Sequence, residues 1–198
     1  MNLTLVVVGK DQKALGEFNC DNLSPAVKVV MLANTTNHSL AGIGNEYLTR
    51  ESSGVVGLCH ADCVFNAGAL EAFCREAESG SVCGMVGRTD TQEYRSGYRW
   101  CFQNPGAVST LDSCCVFLRA DLKLWFDAGT FDGFHCHVED LCLQAHSRNI
   151  PVTVPSAAAN HIGVNWSQRR EGHLWLADYQ RYRKLLVKKW PNFSFATT

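Results

Sequence analysis

Residues 55–65 read Val55-Val56-Gly57-Leu58-Cys59-His60-Ala61-Asp62-Cys63-Val64-Phe65, "VVGLCHADCVF". The run opens apolar and β-branched, as a strand buried on both faces of a parallel sheet does, and then delivers His60 and Asp62 just past its carboxyl end. Alternation puts i and i+2 on one side of an extended segment, so the two side chains can face one point in space. In parallel α/β sheets ligands bind outside the carboxyl ends of the strands. A hard divalent cation bridging phosphate oxygens needs one or two carboxylates there, with water completing its shell. The plainer alternative is a loop pair sharing a hydrogen bond.

Working outward, residues 3–8 (LTLVVV) form a second buried strand that Gly9-Lys10-Asp11 ends, and residues 27–32 (VKVVML) a third that stops at the polar run NTTNHS. Residues 40–52 suit a helix, broken by Gly54 before the strand at 55–59. After the His/Asp pair, Leu70, Phe73, Cys74 and Ala77 recur at helical spacing, with Asn66 as the expected cap and Gly80 as the stop. Further strands are expected at 82–87, from 113 into a turn or helix by 122, and at 150–155. A short helix is expected to end near Asn149, and a basic amphipathic helix spans 170–190. The alternation predicts an α/β fold with a mostly parallel central sheet flanked by helices, in one domain over residues 1–198. Residues 88–110 are polar, aromatic and irregular, a length of connection that usually serves function or moves.

Composition narrows the partners. The chain has 198 residues, 46% hydrophobic and 19% charged, with a formal net charge of −1. That balance offers no electrostatic footprint for nucleic acid. The apolar runs are too short to span a bilayer and no signal series opens the sequence, so a soluble cytoplasmic protein is expected. In the C-terminal helix, Leu174, Leu176, Tyr179, Tyr182, Leu185, Leu186 and Trp190 are expected to pack on the sheet while the basic residues stay solvated, leaving little membrane contact. Ten cysteines carry no C-x-x-C spacing, which argues against a disulfide or zinc framework. Cys59, Cys63, Cys115 and Cys142 stand among apolar residues, where free cysteine acts as a small hydrophobe. His135-Cys136-His137 looks like a metal cluster, yet adjacent side chains of an extended segment point to opposite faces.

Taken in order, "LTLVVVGKD", "VVMLANTTN", "SLAGIGNEYL", "VVGLCHADCVF", "LDSCCVFLRADL", "FDGFHCHVEDLCLQAH" and "IPVTVPSAAANHIG" resemble the GT-A (Rossmann-like) glycosyltransferases of family two, over most of residues 3–165. They are closest to a branch whose DxD-type motif is written H-x-D. The resemblance implies an inverting transferase that moves a sugar from a UDP- or GDP-sugar donor to a glycan or other hydroxyl acceptor with Mn2+ or Mg2+. It implies Asp62 as the metal and diphosphate contact, with His60 beside it and the late His161 completing the metal site. Val8, Gly9, Asp11 and Asn34, with Asp62, match donor-binding positions. Relatives carry an aspartate where this chain has Ala33 or Asn34, a departure that bears on the base recognised.

An inverting transferase needs a carboxylate to deprotonate the acceptor hydroxyl. Glu139 and Asp140, at the start of a predicted helix, are the candidates, although the helix dipole also favours carboxylates there. If Asp140 aligns with the aspartate of the relatives' D-L-C-L, their usual base falls on Val138. Aromatic faces hold sugars, so Tyr98, Trp100 and Trp166 are acceptor candidates. Asp112 lies where relatives contact a sugar. Two other readings stay open: a catalytically silent GT-A-like domain that binds a nucleotide sugar or a partner, and a Cys/His metal-binding module.

Overall fold

The computed structural model describes residues 2–19, 23–35, 38–89, 94–96, 105–157, 159–161 and 172–193. The strand at 3–8 is β1 (Leu3–Gly9), followed by a short helix α1 (Gln12–Gly16), β2 (Val27–Ala33), α2 (Leu40–Arg50) and β3 (Val55–His60). Beyond the His/Asp turn come β4 (Cys63–Phe65), α3 (Ala69–Glu78), β5 (Val82–Gly84), β6 (Val86–Arg88) and β7 (Tyr94–Ser96). Then follow β8 (Gly106–Ala107), β9 (Thr110–Leu111), β10 (Cys115–Arg119), α4 (His137–Ser147), β11 (Val152–Val154), β12 (Ala159–His161) and α5 (Gly172–Lys189).

The central sheet has seven strands in the order β2-β1-β3-β10-β5-β11-β8. Strands β2, β1, β3, β5 and β11 run one way, and β10 and β8 oppose them, so the expected mostly parallel sheet is present with two reversed members. The alternation of β1 divides the core. Leu3, Leu5 and Val7 join Cys59, Phe117 and the α3 residues Leu70, Phe73 and Ala77 on one side. Val6 and Val8 join Leu58, Val116, Leu40 of α2 and Val138 and Leu141 of α4 on the other. Both faces are thereby covered, which is why β1 and β3 read as continuous apolar runs.

Several local expectations are corrected. The run at 82–87 is two strands, because Met85 interrupts it and sends β6 into a separate three-stranded sheet with β7 and β9. The cap of α3 is Gly68, at φ 78, and not Asn66; Asn66 instead contributes its carbonyl to the Ala69 amide at 3.0 Å. Glycine suits that left-handed position because it has no Cβ to clash. The segment 135–137 is not extended either: Cys136, at φ 64, turns the chain directly into α4. Finally, α5 packs Tyr182 and Leu186 on Phe131, Cys136 and Leu143, the outer side of α4, while Leu176 is 47% exposed. Among the described residues no helix is long and apolar enough to cross a membrane.

Candidate metal centre

The register of β1 with β3 pairs Val8 with His60, and the amides of His60 and Ala61 are held by the carbonyls of Cys114 (2.9 Å) and Val8 (3.0 Å). The strand end is therefore fixed from both neighbours. Alternation after Val56 and Leu58 carries His60 to the side of the sheet covered by α2 and α4. Asp62 occupies the turn that follows. The third member arrives from about a hundred residues later: β12 pairs antiparallel with β4, setting His161 opposite Cys63. The result brings His161 Nε2 within 3.0 Å of Asp62 Oδ1 and the His60 and His161 rings to 5.6 Å.

One ligand atom from each of His60, Asp62 and His161 lies within 4.8 Å of the others, and among the described residues this is the one group of its kind. The electrostatics favour positive charge at this point. Burial works against charge on His161, but contact with Asp62 and the negative groups around it, Asp112 included, raise it to about 9. Burial likewise raises the Asp62 carboxyl, yet His161 and His60 outweigh it and hold the group below the usual carboxylate range. The Nε2 of His60 is buried without a hydrogen-bond partner among the described residues. Two imidazoles and a carboxylate, one ring nitrogen still unsatisfied, fit a divalent ion. Among the described residues no cysteine takes part. The eight described cysteines are free and buried, and they serve as core.

The carboxylates of α4 differ in what they touch. Asp140 is fully buried. Its oxygens receive Trp190 Nε1 at 2.7 Å, Lys189 Nζ at 2.9–3.0 Å and Gln144 Nε2 at 2.8 Å. Lys189, one of the basic residues expected to stay solvated, is part-buried instead and bridges Asp140 to Asp127 at 2.7 Å. Glu139 is 3% exposed on the same turn, and Val138 is packed in the core.

The remaining sites fall as follows. Val8 and Gly9 end β1 beside His60. Asp11 caps α1, accepting the Ala14 amide at 2.8 Å. Asn34 closes its own loop, donating to the His38 carbonyl and accepting the His38 amide, each at 2.8 Å. Asp112 accepts the Cys114 amide at 2.8 Å, at the start of β10. Tyr98, Trp100 and Trp166 lie outside the described residues. His137, the last residue of the His135-Cys136-His137 run, is fully buried on the first turn of α4.

No protein-family profile and no curated protein matches the sequence. Solved structures do. A197 from STIV aligns over 80% of this chain and 83% of its own at 15% identity, with a TM-score of 0.49. GalNAc-T7, solved with UDP, GalNAc and Mn2+, aligns over 96% of this chain at 7% identity and a TM-score of 0.55. The chain spans about half of that protein, 51% of its length. At such identity the likeness concerns architecture, and it shows that this chain has a GT-A-like α/β fold.

Proposed function

We propose that the protein is a metal-dependent, inverting glycosyltransferase that takes a sugar from a nucleoside-diphosphate donor to a hydroxyl acceptor. The observation that carries this reading is the His60–Asp62–His161 group at the carboxyl edge of the sheet, in a fold like that of a protein solved with UDP and Mn2+. The donor set, two nitrogens and one carboxylate, favours Mn2+ over Mg2+, which prefers oxygen ligands throughout. When bound, the ion supplies charge neutralisation for the departing diphosphate.

The chain's own groups do the rest. The nucleoside is assigned to the backbone at Val8 and Gly9, a reading supported by the pairing of Val8 with His60, and Asp112 is near enough to His161 to favour its charged form. Both Asp140 oxygens are committed to Trp190, Lys189 and Gln144, which passes the base role to Glu139 one residue earlier. In that role Glu139 takes the acceptor proton as the hydroxyl oxygen bonds to the anomeric carbon, on the face opposite the breaking bond to diphosphate.

Calorimetry tests this directly. UDP- or GDP-sugar binding should require Mn2+ and vanish in Asp62→Ala; binding without metal overturns the site. Turnover should fall at least about a hundredfold in Glu139→Gln. The silent-domain reading has a specific support, the placement of Val138 and the occupied Asp140, and it predicts metal-dependent binding with no transfer to any acceptor.

A further inference from the structure

The outer side of α5 belongs to neither the core nor the metal group. Its inner side is fixed to the body: Tyr182 and Leu186 pack on Phe131, Cys136 and Leu143, and Trp190, just past the last turn, holds Asp140. At about 3.6 residues per turn, the opposite side carries Leu176, Gln180, Lys184, Val187 and Lys188, all exposed. Leu176, expected to pack on the sheet, and Val187 are each 47% exposed. They stand three turns apart, about 17 Å along one line of the helix, with Lys184 and Lys188 beside that line.

Charge is divided as unevenly as exposure. α5 holds five Lys or Arg against one acid, Asp178, whereas the rest of the chain holds thirteen against eighteen. The acids along the helix are already engaged. Asp178 pairs with Arg181 at 3.9 Å, Asp132 accepts the Tyr182 hydroxyl at 2.5 Å and Asp127 accepts Lys189 Nζ at 2.7 Å. A negatively charged surface is therefore repelled by the body and drawn to this one side.

The pattern of apolar residues decides which kind of surface. A protein groove reads a helix through closely spaced anchors at i, i+3 or i+4 and i+7, and no large apolar residue stands between Leu176 and Val187 on the outer side. A nucleic-acid backbone offers phosphates to the lysines and nothing to two aliphatic side chains. A bilayer interface takes both, since aliphatic tips enter the acyl boundary while lysine stems extend to the headgroups. We propose that the outer side of α5 docks the protein on an anionic bilayer surface through Leu176, Lys184, Val187 and Lys188. The helix is folded and clamped beforehand, so docking orders no new segment. This holds whether or not the protein is a transferase.

The test sediments the full chain with vesicles of phosphatidylcholine alone, or with about one-third phosphatidylserine or phosphatidylglycerol, and titrates it with duplex DNA by fluorescence anisotropy. Vesicles with either anionic lipid are expected to carry the protein down and neutral ones to leave it in solution, with binding lost as salt rises to about 0.5 M. Lys184→Glu with Lys188→Glu should weaken partition at least about thirtyfold, and Leu176→Ser with Val187→Ser about tenfold. Lys13→Glu with Lys123→Glu makes the same change in net charge away from α5, on two other exposed residues, and should stay within about threefold of the parent. Each variant should melt within about 2 °C of the parent, because the replaced residues are exposed. The proposal is overturned if anionic vesicles leave the protein in solution, if both charge variants lose binding equally, or if the Leu176/Val187 variant binds like the parent. DNA binding tighter than vesicle binding also overturns it and assigns the basic side to nucleic acid.

Discussion

Replacing Asp140 by alanine should destabilise the protein strongly, and the size of the effect separates a structural carboxylate from a catalytic one. Breaking a buried ion pair by removing one partner costs about 3–5 kcal/mol, mostly through the charge left behind. Here the lower end applies. Lys189 keeps Asp127 at 2.7 Å with its side chain 31% exposed, and Gln144 keeps the Trp125 carbonyl at 2.8 Å. Trp190 Nε1 loses its one described acceptor. At about 2–4 °C per kcal/mol for a domain of this size, a loss of about 3 kcal/mol lowers Tm by about 6–12 °C. Asp140→Asn retains the shape and an acceptor for Trp190 and should lose about half as much. Differential scanning calorimetry measures both, alongside turnover. The reasoning is refuted if Asp140→Ala melts within about 2 °C of the parent, or if Asp140→Asn loses a hundredfold in turnover with Tm unchanged.

Other expectations follow from the same geometry. In metal-free protein His161, raised to about 9 from an unfolded value near 6.5, contributes stability that is whole below pH 6.5 and fades as pH rises through 9. Asp62, held low, contributes above its unfolded value and fades as pH falls through the depressed one, so the pair stabilises most at neutral pH. The Tm difference between parent and His161→Gln in EDTA, followed from pH 3 to 10, should trace that window; a flat difference contradicts it. Because metal and proton compete for His161, Mn2+ binding at pH 7.5 should release about one proton, read as a buffer-dependent binding enthalpy. Gly57→Ala places a Cβ 2.4 Å from a Phe117 ring carbon, and overpacking of this kind should cost about 1–3 kcal/mol in chemical denaturation.

Much of the scaffold is legible in the residues. The β-branched runs of β1 and β3 and the helical spacing of Leu70, Phe73 and Ala77 state their periods plainly. The direction of β10 is not: Cys115 to Arg119 reads as apolar strand either way, and only the path of the connection reverses it between β3 and β5. The three-residue strands β4 and β12 are too short to show a period. His60 and Asp62 come from their i, i+2 spacing, whereas His161 is visible only through likeness to a family pattern. Beyond Gln144 on the same helix, the contacts of Asp140 lie 49 and 50 residues away at the end of α5, past any local signal.

The ribbon of β4 with β12 carries a temporal consequence. His60 and Asp62 leave the ribosome early, yet the ligand that completes their set enters only when Ala159, Asn160 and His161 pair with Phe65, Val64 and Cys63. Any ion capture by this group therefore waits for that pairing. A nascent or clipped polypeptide holding just the first two candidate ligands would compete poorly for a divalent ion, which would go to molecules in which the third histidine is already in place.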